Sequence, residues 1–296
     1  MTFSSKVKDE ILKIDNVKTC CQLAESYGLL LFARGFSLKE IYISTENSSV
    51  AEKYKNIVER LSLQDADTIK SESRKYKILS LDKVANKKVL MAFGYEGNER
   101  SRRLNWGNIS DECCFGAFLR GAFLACGTIN DPEKSYHLEF VIPYLNLSKD
   151  LKRVMEEMNL EPKEITRNGS YILYFKDSEE IEDVLALIGA TNSTLELMGI
   201  KMYKDVRNNV NRRLNFESAN LDKTVNAALI QTEAIEILMK NGEFKNLPDE
   251  LKEIAMLRID NPDFSLKQIG DMLIPPLSRS GVNHRLKKLC NMAENK

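Results

Sequence analysis

The chain has 296 residues, 43% of them apolar, which suffices for a sizeable core and, at roughly 100–200 residues per domain, for two or three domains. Lysine plus arginine and aspartate plus glutamate each total 43, so the formal net charge is zero. That balance excludes an overall polybasic protein and an acidic-tail protein, but not a locally basic face. Mean hydropathy is −0.33 and no window approaches about 18 uncharged apolar residues, so no membrane-spanning helix is expected. From Met1 to Ile14, Lys6, Lys8, Asp9, Glu10 and Lys13 interrupt the apolar residues, and the unbroken apolar stretch of a secretory signal is missing. The six cysteines fall as two adjacent pairs, Cys20-Cys21 and Cys113-Cys114, and two single residues, Cys126 and Cys290. This is not a disulfide framework, and a cytoplasmic thiol state is expected. Without a C-x-x-C, and with only His137 and His284 to add imidazole, no zinc site and no other cofactor is expected.

In chain order, the first strong signal is a repeat. Cys21–Gly35 and Cys113–Gly127 superimpose at a constant offset of 92 (113 − 21 and 127 − 35). Both segments are apolar nearly all round, the pattern of buried helices. Each carries small residues, Gly28, Ala33 and Gly35 in one, Gly121, Ala122, Ala125 and Gly127 in the other, which predicts a closely packed helix pair. Alternating strands follow at Glu40–Thr45 and Tyr136–Val141, then helices at Ser49–Leu61 and at Ser148–Leu160, the latter capped by Ser148. Second strands follow at Lys75–Leu81 and at Ser170–Phe175, the latter after an Asn168-Gly169 turn. A closing helix is clear at Glu179–Ile188 and weaker in the first copy. The expectation is one pseudo-symmetric α+β domain with halves at residues 1–105 and 106–200.

Residues 201–222 are expected to form a basic linker. Five asparagines accompany Arg207, Arg212 and Arg213, which are assigned as secondary DNA contacts. Asparagines that merely make turns and caps are an equal reading. Helical periodicity over Leu221–Met239 then opens an all-helical domain at residues 223–296. A helix at Leu247–Arg258 carries Pro248 at its start. Ser265 caps Leu266–Leu273, in which Gly270 admits a close neighbour. Ile274-Pro275-Pro276-Leu277 breaks the chain, and Ser278 or Ser280 starts a last helix that buries Val282, Leu286 and Leu289. Ser278 to Cys290 carries +4 with no acid. A serine-capped cationic helix after a packed helix and a broken turn reads as a helix-turn-helix at residues 264–290. The assigned DNA-binding residues are Ser278, Arg279, Ser280, Asn283, His284, Arg285, Lys287 and Lys288; the competing reading is a solvated basic face.

Leu119-Arg-Gly-Ala-Phe-Leu-Ala-Cys-Gly127 resembles the LAGLIDADG helix of homing endonucleases, as does Tyr27-Gly-Leu-Leu-Leu-Phe-Ala-Arg-Gly35 more weakly. The resemblance implies two such helices packed across a pseudo-twofold axis, with four-stranded saddles over DNA and an acidic residue at each helix foot that holds the metal. Here the feet are Arg34 and Cys126. Arginine repels a metal and cysteine is a soft ligand, whereas magnesium needs carboxylate oxygens. Asp131 lies nearby, but Asp131-Pro132 reads as a turn. No catalytic residue and no enzymatic activity are therefore expected.

Along its full length the chain resembles the WhiA family, on Phe118–Glu139, Asn211–Thr224 and Ser278–Lys288. The resemblance implies an αββαββα repeat domain of degenerate homing-endonuclease type followed by a helix-turn-helix domain. It further implies a nucleoid-associated, DNA-binding transcriptional regulator of sporulation, or of cell division and chromosome segregation. The partners implied are double-stranded DNA and other regulators or division proteins, with no membrane and no small-molecule substrate. An active nuclease and a division-machinery scaffold with incidental DNA binding are the alternatives.

Overall fold

In the computed structural model, which describes residues 2–70 and 75–294, the repeat folds as two copies of one αββαββα arrangement. Met1, 71–74 and 295–296, which fall within the expected first half and C-terminal domain, lie outside the described residues. After α1 (Phe3–Ile11), the first copy runs α2 (Thr19–Leu31), β1 (Gly35–Phe36), β2 (Ile41–Thr45), α3 (Ser48–Ser62), β3 (Asp67–Lys70), β4 (Tyr76–Ser80) and α4 (Lys83–Met91). The second runs α5 (Glu112–Cys126), β5 (Gly127–Ile129), β6 (Leu138–Ile142), α6 (Leu145–Glu157), β7 (Lys163–Arg167), β8 (Ser170–Phe175) and α7 (Ser178–Ile188). Both sheets are antiparallel, with spatial orders β1-β2-β4-β3 and β5-β6-β8-β7. In β6 the alternate residues Leu138, Phe140 and Ile142 are buried, the period-two pattern of a strand with one face on a core. Asn168 and Gly169, with φ of 51° and 75°, make the tight turn joining β7 to β8.

Two local expectations shift. Ser148 does not cap α6: Pro143 ends β6 and the helix begins at Leu145, leaving Ser148 buried inside it. The first closing helix, faint in the sequence, is fixed by the Asp82 carboxylate, which accepts from the amides of Val84 and Ala85, both at 2.7 Å.

The expected close helix pair is α2 against α5. A Cβ on Gly28 would lie 2.3 Å from the Phe118 carbonyl oxygen and 3.0 Å from the Ala122 nitrogen. A Cβ on Gly121 would lie 2.1 Å from the Glu25 carbonyl oxygen and 2.7 Å from the Leu29 nitrogen. The two sets of contacts are reciprocal only if residues match at an offset of 93 (121 − 28, 118 − 25, 122 − 29), not 92. The β1–β2 and β5–β6 registers agree, since Phe36 faces Ile41 as Ile129 faces Leu138 (129 − 36 = 93). Gly35 and Gly127, which set the sequence offset, are not mates: Gly35 clears the Tyr42 ring and Gly127 clears the Phe123 ring.

The expected linker at 201–222 is helical. It lies inside α8, a 50-residue helix from Thr191 to Lys240, so the helix expected from Leu221 starts thirty residues earlier. Nothing stops it: the segment contains no proline, and its asparagines make no turns. Its start is capped from α1, whose Glu10 carboxylate accepts from the amides of Asn192 (2.6 Å) and Ser193 (3.0 Å) and from the Ser193 hydroxyl (2.6 Å). The chain divides into two compact units, Met1–Lys204 and Asp205–Lys296, with the boundary inside α8.

Candidate nucleic-acid interface

The C-terminal unit holds α9 (Asp249–Asp260), α10 (Leu266–Met272) and α11 (Arg279–Glu294) on a core that includes Ile235, Leu238, Ile254, Ile269, Val282, Leu286 and Leu289. Ser265 caps α10 in a full capping box with Gln268, as expected of a serine before the apolar run. Arg258, 1% exposed, fixes the turn between α9 and α10 by donating to the carbonyls of Pro262 (3.3 Å) and Phe264 (2.8 Å). Gly270 is where the next connection crosses: a Cβ there would sit 2.2 Å from the Leu277 carbonyl oxygen, and the Leu277 amide donates to the Gly270 carbonyl at 3.0 Å. Ser278 Oγ accepts from the Gly281 amide at 3.3 Å and starts α11.

With Val282, Leu286 and Leu289 buried, the side of α11 opposite them is set by helix geometry. At about 100° per residue, Ser280, His284 and Lys287 lie within about 60° of one another on that outward side, with Asn283 and Lys288 on its shoulders. Ser278, Arg279, Ser280, His284, Lys287 and Lys288 are exposed; Asn283 is half-buried. Arg285 has a partner within the unit. It lies at the edge towards α9, where its Nη2 is 2.7 Å from a Glu250 carboxylate oxygen, and its side chain is 26% exposed. That acid was not recognisable as a partner in the sequence.

Arg207, Arg212 and Arg213 are exposed along α8, but Arg212 and Arg213 are turned about 140° and 240° from Arg207, so one helix face cannot present all three. Arg213 Nε is also 2.9 Å from Glu217, one turn on.

In the N-terminal unit a groove of 1010 Å³ opens at the feet of α2 and α5, lined by Lys8, Arg34, Tyr42, Cys126 and Tyr144 among others. At the offset of 93, the mate of Cys126 is Ala33, and Arg34 lies one residue further on, exposed. This corrects the pairing of Arg34 with Cys126. Neither pairing supplies a carboxylate. Cys126 donates its S–H to the Ala122 carbonyl at 3.3 Å, and burial pushes its thiol up to about 12. Beside it stands Lys8 of α1, whose Nζ donates to the Leu124 carbonyl at 3.3 Å and lies 5.7 Å from the Phe123 ring centre. Desolvation lowers its pKa to about 8. Asp131 is occupied in its own turn, its carboxylate accepting from the Glu133 amide at 3.0 Å. Lys8 was missed in the sequence because nothing local links α1 to the foot of α5.

Comparison with known proteins agrees with this architecture. The family model for the WhiA LAGLIDADG-like domain matches residues 115–207, and that for the WhiA C-terminal HTH domain matches residues 210–293. The chain is 39% identical over 305 residues to a "Probable cell division protein WhiA" of Ruminiclostridium cellulolyticum, covering 99% of this chain and 97% of that one. It is 34% identical over 310 residues to the protein of the same name from Alkaliphilus metalliredigens, covering 99% and 98%. The crystal structure of full-length DUF199/WhiA from Thermatoga maritima superposes with a TM-score of 0.60 at 24% identity, covering 100% of this chain and 99% of that one, which supports the fold. With two domain models matched in order and relatives aligned over nearly the full length, the chain belongs to the WhiA family.

Proposed function

We propose that this chain is a non-enzymatic DNA-binding regulator that reads duplex DNA through α11 and acts at the nucleoid, in cell division and chromosome segregation or in sporulation. The observation that carries the reading is the exposed outward face of α11. In a chain of zero net charge it holds Ser280, His284, Lys287 and Lys288, with Arg279 exposed at the start of the helix, and it is fixed by three buried residues on the opposite side. Lysines there suit phosphates, while serine, asparagine and arginine suit base edges. The ion pair with Glu250 gives Arg285 the job of orienting α11 against α9, and base contact passes to the residues on the outward side. Naming of the relatives as cell division proteins supports the cellular setting.

Loss of strand cleavage follows from the helix feet. A divalent ion needs carboxylate oxygens. The feet carry Ala33 and Cys126, and the Lys8 amine lines the same groove. Supercoiled plasmid with magnesium or manganese is expected to stay intact; metal-dependent nicking by rigorously purified protein would overturn this part of the reading.

The DNA reading is tested by mapping bound sites across a genome with the full chain and with Lys287→Ala/Lys288→Ala. Site occupancy should collapse in the variant, and in vitro the slope of log affinity against log salt should fall by about one for each phosphate the variant no longer neutralises. Unchanged occupancy and slope would reject α11 as the reading helix.

A further inference from the structure

The four cysteines that looked unremarkable as two adjacent pairs meet in space. Cys20 and Cys21 lie in the first turn of α2, Cys113 and Cys114 in the first turn of α5. At the offset of 93 they are mates across the pseudo-twofold axis (113 − 20 and 114 − 21). Their four sulfurs lie within 4.8 Å of one another, and Cys20 Sγ is 3.8 Å from Cys113 Sγ. None is joined in a disulfide.

These distances select one kind of occupant. Four sulfurs at about 2.3 Å from a tetrahedral zinc ion are about 3.8 Å apart, the observed Cys20–Cys113 separation. A disulfide needs about 2.05 Å between its sulfurs. An iron–sulfur cluster has bridging sulfides between its irons and spreads its thiolate ligands over more than one iron, for which a 4.8 Å sulfur cage has no room. Both cysteine pairs sit at helix N-termini, where the partial positive charge of the backbone stabilises thiolates. Cys21 and Cys114 are buried and Cys20 is half-buried, while Cys113 is open to solvent, which leaves an entry path for an ion.

We propose that Cys20, Cys21, Cys113 and Cys114 form a four-thiolate zinc site that staples the N-terminal ends of α2 and α5 across the pseudo-twofold axis. All four ligands come from protein, so the site is closed and structural, with no position left for a reacting water. Binding replaces each S–H bond by an S–Zn bond and releases up to four protons to solvent. The Cys21 thiol, which donates to the Cys113 carbonyl at 3.2 Å, exchanges that hydrogen bond for the metal. Because each thiol must give up its proton on ligation, affinity falls as pH drops. The usual spacing signature is absent because each helix contributes neighbouring residues and the helices come from different halves of the chain.

The test uses the full chain, purified with a thiol reductant, stripped of metal and checked for folding by circular dichroism. Titration with cobalt(II) should give the intense ligand-field and thiolate charge-transfer bands of a tetrahedral cobalt–sulfur site, saturating at one equivalent and displaced by zinc. Zinc at a hundredfold excess over its dissociation constant should raise the thermal midpoint of the Trp106 fluorescence transition by about 5–10 °C. Cys20→Ser/Cys113→Ser should lose the bands, whereas Cys126→Ser/Cys290→Ser should keep them. Absence of the bands in folded, reduced wild-type protein would overturn the proposal. So would their survival in Cys20→Ser/Cys113→Ser, or a Cys20–Cys113 disulfide in protein alkylated at the moment of cell lysis. Should the double variant fail to fold, the wild-type titration and the Cys113→Ser single variant, altered only at the exposed ligand, decide the matter.

Discussion

Gly121→Ala tests the helix pair on which the N-terminal unit is built. Alanine normally gains about 1 kcal/mol over glycine inside a helix. Here the added methyl would stand 2.1 Å from the Glu25 carbonyl oxygen and 2.7 Å from the Leu29 nitrogen, both backbone atoms of α2. Ordinary contact needs well over 3 Å, and no rotamer change can move a backbone atom aside, so α2 and α5 must separate along their length. Overpacking of this kind costs roughly 1–3 kcal/mol, occasionally more. With the helix gain subtracted and the strain at the upper end, a net loss of about 1–2 kcal/mol is expected, or about 2–8 °C in midpoint for a unit of this size. Gly199→Ala is the control. It is also in a helix, α8, but nothing lies within 4 Å of its added methyl, so it should stabilise by about 0.5–1 kcal/mol. The protein's single tryptophan, Trp106, lies in the N-terminal unit and reports its unfolding in urea. Gly28→Ala faces the same interface from the other side, so the double variant should cost less than the sum, the first separation making room for the second methyl. If Gly121→Ala and Gly199→Ala shift the midpoint in the same direction, the close backbone approach is wrong.

Gly270→Ala should destabilise the C-terminal unit by roughly 1–3 kcal/mol, because its methyl would meet the Leu277 carbonyl oxygen at 2.2 Å; hydrogen exchange in α10 and α11 should rise while that of α2 and α5 does not. Arg120→Met should cost roughly 1–3 kcal/mol by taking the guanidinium from the buried Glu25 carboxylate, which keeps Lys53 as its ion partner, read by urea unfolding; a change within 0.5 kcal/mol would show the Arg120 pair to be idle. Lys8 has a folded pKa of about 8, below its usual 10.5, so the unfolded chain binds the extra proton between those values. Stability should therefore rise with pH from about 8 to 10.5, and Lys8→Met should be more stable than wild type at pH 7 by roughly 1–2 kcal/mol and lose that rise. Arg279→Ala should weaken specific DNA binding by about 1–3 kcal/mol in gel shifts if it touches a base, while Glu250→Gln, which frees Arg285, should alter affinity and leave the salt slope within one unit of wild type.

Most of the architecture is legible because it rests on local rules. The period-two runs at Ile41–Thr45 and Leu138–Ile142 are strands, Ser265 caps α10, and the Pro275-Pro276 break separates α10 from α11. What escapes depends on distance. The short edge strands β1, β3, β5 and β7 are defined by their neighbours' hydrogen bonds, and β7 has no buried residue to mark it. The repeat aligns one residue out of step when every glycine is given the same meaning: Gly28 and Gly121 clear a helix backbone, whereas Gly35 and Gly127 clear aromatic rings in unrelated ways. The basic asparagine-rich stretch looks like a connector because asparagine is a poor helix former, but the penalty is a few tenths of a kcal/mol per residue and no proline interrupts. Lys8, Glu250 and the meeting of four cysteines all require two elements to be placed before either residue acquires a meaning.

The same offset explains why the duplicated halves are no longer interchangeable. Matching at 93 makes Glu25 the mate of Phe118 and Tyr27 the mate of Arg120. Two contacts related by the pseudo-twofold axis are therefore Glu25 with Arg120 and Phe118 with Tyr27. On one side of the axis Arg120 Nε lies 3.1 Å from the Glu25 carboxylate, with Asn16 and Lys53 as further partners. On the other, the rings of Phe118 and Tyr27 lie 5.7 Å apart, and Tyr27 continues into a stack with Phe93 at 5.1 Å. One geometric slot is thus filled by a buried ion pair and its image by an aromatic pair. Two identical copies of either half would place like with like in both slots, either two glutamates facing tyrosines, each stripped of its guanidinium, or two phenylalanines facing arginines, each a buried charge without its counter-charge. The symmetric backbone, held by Gly28 and Gly121, carries an asymmetric set of side chains that only the covalently joined pair can satisfy.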